Sequence, residues 1–416
     1  MLRSYDALLA LVACAAPCMA LACAANPAPE PEAAEATVVA SYALPVQQLE
    51  PVVIAGYTAA ELAAEFERGR SQLLVDRFAD AAKQFDRLRL LTKGKELGAP
   101  CTFNAGLAYE GLGDLDRAID RYRELVDQYA DATITLNGLV RLSRLLGYLE
   151  RWPELAAAAD RLLRHDQELP VMDHIEALGA QALALVEQGR VEQAEPFLHK
   201  AQDLIESNRF GEGGNPPMQL AQVSFAQGEV LRMRSEQVRL VPVPPNFGEV
   251  LEARCQGLLN AQSAYTEAMR SRDAHWSAMS GFRVGQLYQQ LHTEAMQIPA
   301  PATANTQRSK QLFEGAMRLR YRILLEKGLK MMDATVRLGE RTGEASTWIA
   351  RAREAQHELG RALEDEKAAL ALLPCTEQEL AAALDKLKER GAKQAPASGA
   401  PQPSGDAPQN GEHHGS

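Results

Sequence analysis

Aromatic residues are scarce, at 6% of a 416-residue chain that is 46% hydrophobic. With abundant Ala, Leu, Glu and Arg, that scarcity favours helices packed through small side chains. Valine and isoleucine runs with period-two alternation are nearly absent, so no sheet is expected. Cationic charge is short: 44 Lys and Arg against 55 Asp and Glu leave a net charge of −11. The chain as a whole should repel nucleic acid and anionic membrane surfaces. Cysteine is also sparse. Cys14, Cys18 and Cys23 sit in an apolar N-terminal run, while Cys101, Cys255 and Cys375 are far apart. No pair has metal-ligand or redox spacing, so the last three should be free thiols. Histidines stand singly at His165, His174, His199, His275, His292 and His357, with His413 and His414 close to the end. None forms an HExxH arrangement, so neither metal nor cofactor nor catalysis is expected. The glycine cluster at 211–217 has no Gly-Lys-Ser/Thr after it and no strand before it, which argues against a phosphate loop.

What is present begins with a leader. Arg3 precedes an uncharged run from Ala7 to Ala22, with small residues just before Cys23. Charged start, short apolar core and small residues at a cut make the layout of a secretory signal peptide over 1–22. The segment resembles a bacterial lipoprotein signal, in which the cysteine after a small residue is lipidated. The resemblance implies lipidation at Cys23, with Cys14 and plain secretion as alternatives. Ala24, where no aspartate stands, suggests sorting to the outer membrane. Residues 23–56, rich in Ala, Pro and Glu, should form a disordered tether, and 391–416 a disordered tail.

From Tyr57 a helical period begins. Residues 103–131 are the most informative: Gly106 and Ala118 are small where two helices would cross, and Gly113-Asp114 makes a tight turn. Equivalent positions Ala81, Ala118, Leu155 and Ala194 recur at spacings of 37, 37 and 39. One such pair cannot bury its own apolar face, so pairs must stack. Asn104, Ala105, Gly106, Tyr109, Gly113, Asp114, Ala118, Tyr122 and Leu125 stand at the signature spacing of the tetratricopeptide repeat (TPR) family, which this stretch resembles. The family's early tryptophan and late proline are missing.

The expected fold is therefore an all-α, TPR-like solenoid of antiparallel helix pairs. Repeats should cover 57–210, and extended hairpins with a cap of long helices should cover 211–374. A short helix should follow over 375–390, opened at Thr376. The resemblance implies that first-helix residues line a concave groove for a protein partner: Phe66, Arg70 and Leu73, then Phe103, Leu107 and Glu110, then Val140 and Arg144, then Leu183 and Val186. Glu110 and Arg144 would orient the partner. Arg318, Arg320 and Arg322 form a basic cluster, with Arg318 and Arg322 on one face. These readings converge on a non-catalytic scaffold of a Gram-negative envelope, held at the periplasmic side of the outer membrane and binding envelope proteins. Two alternatives are a tether that binds peptidoglycan through the Arg318–Arg322 face and an accessory subunit of a periplasmic enzyme.

Overall fold

The computed structural model describes residues 56–382, apart from 130–132, 215 and 377. The leader, Cys23, the expected tether up to 55 and the tail lie outside the described residues. Thirteen helices follow in order: α1 (Ala59–Leu74), α2 (Phe78–Leu91), α3 (Gly98–Gly111), α4 (Leu115–Gln128), α5 (Thr133–Tyr148), α6 (Trp152–Leu163), α7 (Val171–Glu187), α8 (Val191–Ser207), α9 (Leu220–Gln237), α10 (Phe247–Arg270), α11 (Ala274–Met296), α12 (Gln307–Thr342) and α13 (Thr347–Leu372). The described residues contain no strand. A further helical turn is described at 378–382, inside the short helix expected from Thr376; the rest of that segment is outside the described residues.

Local chemistry sets the helix ends. Thr58 and Glu61 cap α1 reciprocally, the Asp114 side chain accepts from the Arg117 N–H at the start of α4, and the Asp273 side chain does the same for Trp276 in α11. The first four pairs share one turn. Asp76, Gly113, Glu150 and Gly189 all take positive φ, at 57, 72, 57 and 76°. After each, the next N–H reaches back to the helix: Arg77 to Gln72 O, Asp114 to Tyr109 O, Arg151 to Leu146 O and Arg190 to Leu185 O. This is the left-handed helix stop that glycine makes cheaply and Asp76 and Glu150 adopt at a cost.

Close crossing is achieved by glycine under an aromatic ring. A Cβ on Gly69 would stand 2.8 Å from the Phe85 ring, one on Gly106 2.5 Å from Tyr122, and one on Gly228 2.6 Å from Tyr265. The same seat thus closes α1 on α2, α3 on α4 and α9 on α10. In the last, the Pro-rich segment 241–245 lies in the connection and the contact is the same.

The apolar interior runs through the stack. Its N-terminal part reaches from Leu62 to Ala184 and its C-terminal part from Ile175 to Ile349. They interlock inside α7: Ala177, Ala180 and Ala184 face one, while Ile175, Leu178 and Leu183 face the other. Residues 175–186 are buried apart from half-buried Gln181, as expected of a helix that is apolar all round. The glycine-rich break at 211–217 is therefore a connection, and α9 packs on α7 across it. A small third cluster, centred on Met332, Ala352 and Leu359, joins α12 to α13.

Candidate partner-binding surface

The first helices of the pairs were expected to present an apolar strip. They do not. Phe66, Phe103 and Leu107 are 0%, 2% and 0% exposed. Phe66 packs edge-on to Phe85, and Phe103 lies 5.9 Å from the Tyr122 ring. Leu73, Val140, Leu183 and Val186 are buried as well. The groove assignment is corrected accordingly: these residues belong to the core. The physical reason is twofold: Phe66 and Phe103 lie under aromatic rings of their own partner helices, and helices of neighbouring pairs close the rest of the surface around α3, α5 and α7.

The charged positions assigned to the groove are also engaged within the chain. Arg70 donates to Glu67 at 2.8 Å on its own helix. Glu110 accepts from Arg141 and from the Tyr122 hydroxyl. Arg144 grips Glu176 through two bonds of 2.8 and 2.7 Å. Burial opposes the Arg144 charge, but the Glu176 carboxylate overrides it and raises the guanidinium pKa further. Arg89 with Glu124 and Arg121 with Asp86 repeat the arrangement on the second helices, at 2.7 and 2.8 Å. Partners in these four inter-pair contacts are separated by 31 to 35 residues, close to one repeat. That periodicity of opposite charges was readable in the sequence and was the missed signal.

Further along, polar side chains converge where the ends of α5 and α7 meet α11 and α13. Tyr148 stacks on His275 with ring centroids 4.3 Å apart, and its hydroxyl donates to Asp273. Glu150, held out by its left-handed turn, binds Arg351 at 3.0 Å, 201 residues away. Trp348 lies between two guanidiniums, Arg351 at 4.3 Å and Arg283 at 5.3 Å. Arg283 in turn reaches Glu229 at 2.8 Å and Glu187 at 3.7 Å. Burial and the neighbouring Glu229 charge push the Glu187 carboxyl up to about 7. Glu229 is the more deeply buried, yet Arg283, Arg232 and the Tyr265 hydroxyl hold its pKa below the ordinary value. The set fastens the curl of the stack.

Among the described residues, no group of three or more His, Cys, Asp or Glu side chains could hold a metal ion. Among the same residues, no helix is long and apolar enough to cross a membrane. Cys101, Cys255 and Cys375 are all free thiols, and burial pushes the Cys101 thiol up to about 12.

The basic cluster divides. Arg318 is tied to Glu366 and Glu314 at 2.8 and 3.0 Å, and Arg322 to Glu326 at 3.1 Å. Only Arg320, on another side of α12, has no carboxylate within ion-pair distance among the described residues.

The fold is TPR-like. It is a chain-order stack of antiparallel helix pairs, with one turn shared by the first four pairs and the glycine–aromatic crossing shared by three. No family model and no curated protein matches the chain. Among solved structures, it is similar to a tetratricopeptide repeat protein from Parabacteroides merdae. That likeness has 12% identity and a TM-score of 0.40, over 72% of this chain and 98% of the other.

Proposed function

We propose that the chain is a non-catalytic scaffold of a Gram-negative cell envelope, lipidated at Cys23 and displayed from the outer membrane toward the periplasm. The observation that carries the scaffold reading is the stack itself. Its first helices are sealed in the core and braced by inter-pair ion pairs, so the chain offers a long, stiff outer surface to other proteins. The envelope reading rests on the leader sequence, from Arg3 through Ala22 to Cys23. The engagement of Arg318 and Arg322 by carboxylates makes a glycan-binding tether through that face the poorer reading.

Two measurements test the proposal. Fatty-acid labelling should mark the wild type and spare Cys23→Ser, which should also leave the membrane fraction. Label retained by the variant overturns lipidation at Cys23. Crosslinking in intact cells, followed by mass spectrometry, should recover a reproducible set of envelope proteins. Recovery of cytoplasmic proteins alone overturns the localisation, and recovery of nothing above a mock control overturns the scaffold.

A further inference from the structure

The basic cluster leads to a feature outside the repeats. Positions 320, 323, 327, 330, 334, 337 and 341 of α12 follow alternating steps of three and four, which places them on one helix face. They are Arg320, Ile323, Lys327, Lys330, Ala334, Arg337 and Arg341: five cations with only Ile and Ala between them. Lys330, Ala334, Arg337 and Arg341 are exposed, and the other three are half-buried. None of the five cations has a carboxylate within ion-pair distance among the described residues. Elsewhere in this acidic chain, arginines on helix surfaces are mostly paired, so the three unpaired arginines of this row stand out.

Two further observations describe the half-buried end of the stripe. Arg320 lies beside the Tyr321 hydroxyl, yet its Nε and one Nη are buried with no acceptor in hydrogen-bonding geometry. Lys327 sits 5.6 Å above the Tyr288 ring, and Tyr288 is itself bonded to Gln262 of α10 at 2.7 Å. The half-buried end of the stripe therefore borders α11, which is tied in turn to α10.

We infer that this face docks an acidic, helix-forming segment of a partner protein. From Arg320 to Arg341 the stripe runs roughly 30 Å at about 1.5 Å per residue, the length of a helix of about five to six turns. Ile323 and Ala334 give such a helix an apolar seat, while the cations meet glutamates repeated at three- and four-residue intervals. Width decides against other polyanions. Glu326, Asp333 and Glu340 stand on the adjoining side of α12, and the whole chain carries −11. A membrane surface or a nucleic-acid duplex would bring its phosphates against those carboxylates, whereas a slender acidic helix does not. The inference rests on the scaffold reading for the class of ligand and adds the site and its chemistry.

The test uses the folded, purified chain and a fluorescent helical peptide of about 21 residues with glutamate every third or fourth position on one face. Fluorescence anisotropy should show binding that weakens as salt rises. The double reversal Lys330→Glu/Arg337→Glu should weaken it by about tenfold or more. Reversal of two exposed cations on α13, Arg353→Glu/Arg361→Glu, should leave binding unchanged. Melting temperature is measured for each variant. If the reversal unfolds the chain, Lys330→Gln/Arg337→Gln takes its place, with weakening again expected. Absence of binding, equal weakening by the α13 pair, or tighter binding to phosphatidylglycerol vesicles or single-stranded DNA overturns the inference. Such a failure alongside a reproducible crosslinked partner set removes the stripe alone; an empty crosslinking experiment beside a positive titration removes only the cellular scaffold reading.

Discussion

The two halves of the molecule use one packing device and differ along one helix, α12, in how charge is paired. In the first four pairs, α1 to α8, helices have 12 to 17 residues, and basic side chains reach across to the next pair. In the second half, α9 to α13, helices lengthen to between 18 and 36 residues, and α12 carries a row of cations that reach no carboxylate. The glycine-under-aromatic crossing is common to both. Packing geometry is therefore dictated by helix shape wherever two helices meet closely. Charge pairing follows from repetition: a carboxylate one repeat away is guaranteed only where the repeat recurs. Where α12 outgrows the repeat, its cations have no scheduled partner. The difference teaches that the N-terminal half is built to be stiff and the C-terminal half to remain partly unsatisfied on one surface.

The largest expected effect comes from Phe103, which separates a core of stacked pairs from an open groove. Phe103→Ala removes a ring buried against Tyr122 and should cost about 3–5 kcal/mol of unfolding free energy. Denaturant unfolding, beside Tyr109→Ala, checks it. A change under about 1 kcal/mol would return Phe103 to the surface and the N-terminal half to an open-groove design.

Next in size is the crossing shared by the halves. Alanine is the better helix former, so Gly106→Ala and Gly228→Ala should both stabilise if propensity ruled. A Cβ would instead stand 2.5 Å from the Tyr122 ring and 2.6 Å from the Tyr265 ring, so each should lose about 1–3 kcal/mol. Thermal unfolding of the two variants sharpens the comparison. Equal losses confirm one device in both halves, and a loss in only one separates them.

A smaller effect tests the joint between the halves. Glu187 has its carboxyl raised from 4.5 to about 7 by burial and by Glu229. Between those values the unfolded chain has released a proton that the folded chain keeps, so stability falls as pH rises through this window. Glu187→Gln, which resembles the protonated acid, should match the wild type below pH 4.5 and exceed it at pH 8 by on the order of 1–2 kcal/mol. Unfolding curves across this range read it, and parallel pH profiles for the two proteins would show that Glu187 is charged in the fold.

Much of the fold was legible because helical stacking is written in local pattern. Gly106, Ala118 and the turn at Gly113 announced a pair, and the 37-residue recurrence announced its repetition. Even so, Asp76 and Glu150 make the same left-handed turn as Gly113 and Gly189 without a glycine to advertise it. Helix geometry on both sides imposed the turn there. The expected site was not legible. Phe66, Phe103 and Leu107 read as a free flank because helical period gives a residue's angle on its own helix but not how far a large ring such as Phe85 or Tyr122 on the partner helix reaches around it, nor what neighbouring pairs cover. Arg318, Arg320 and Arg322 read as one cluster because they are close in sequence. Glu314 and Glu326, four residues from Arg318 and Arg322 on the same helix, were readable as their partners; only Glu366, brought in by α13, needed the fold, and Arg320 was left at the head of a stripe.

By itself, then, the sequence determined the helices, their pairing and their order, because those follow from apolar period, small residues at crossings and contacts between chain neighbours. Tertiary structure decided which faces stay open and which charges stay unpaired. Those depend on contacts such as Glu150 with Arg351 and Tyr148 with Asp273, 201 and 125 residues apart. No local period encodes contacts of that range; they form only once the curl of the stack has brought its distant pieces together.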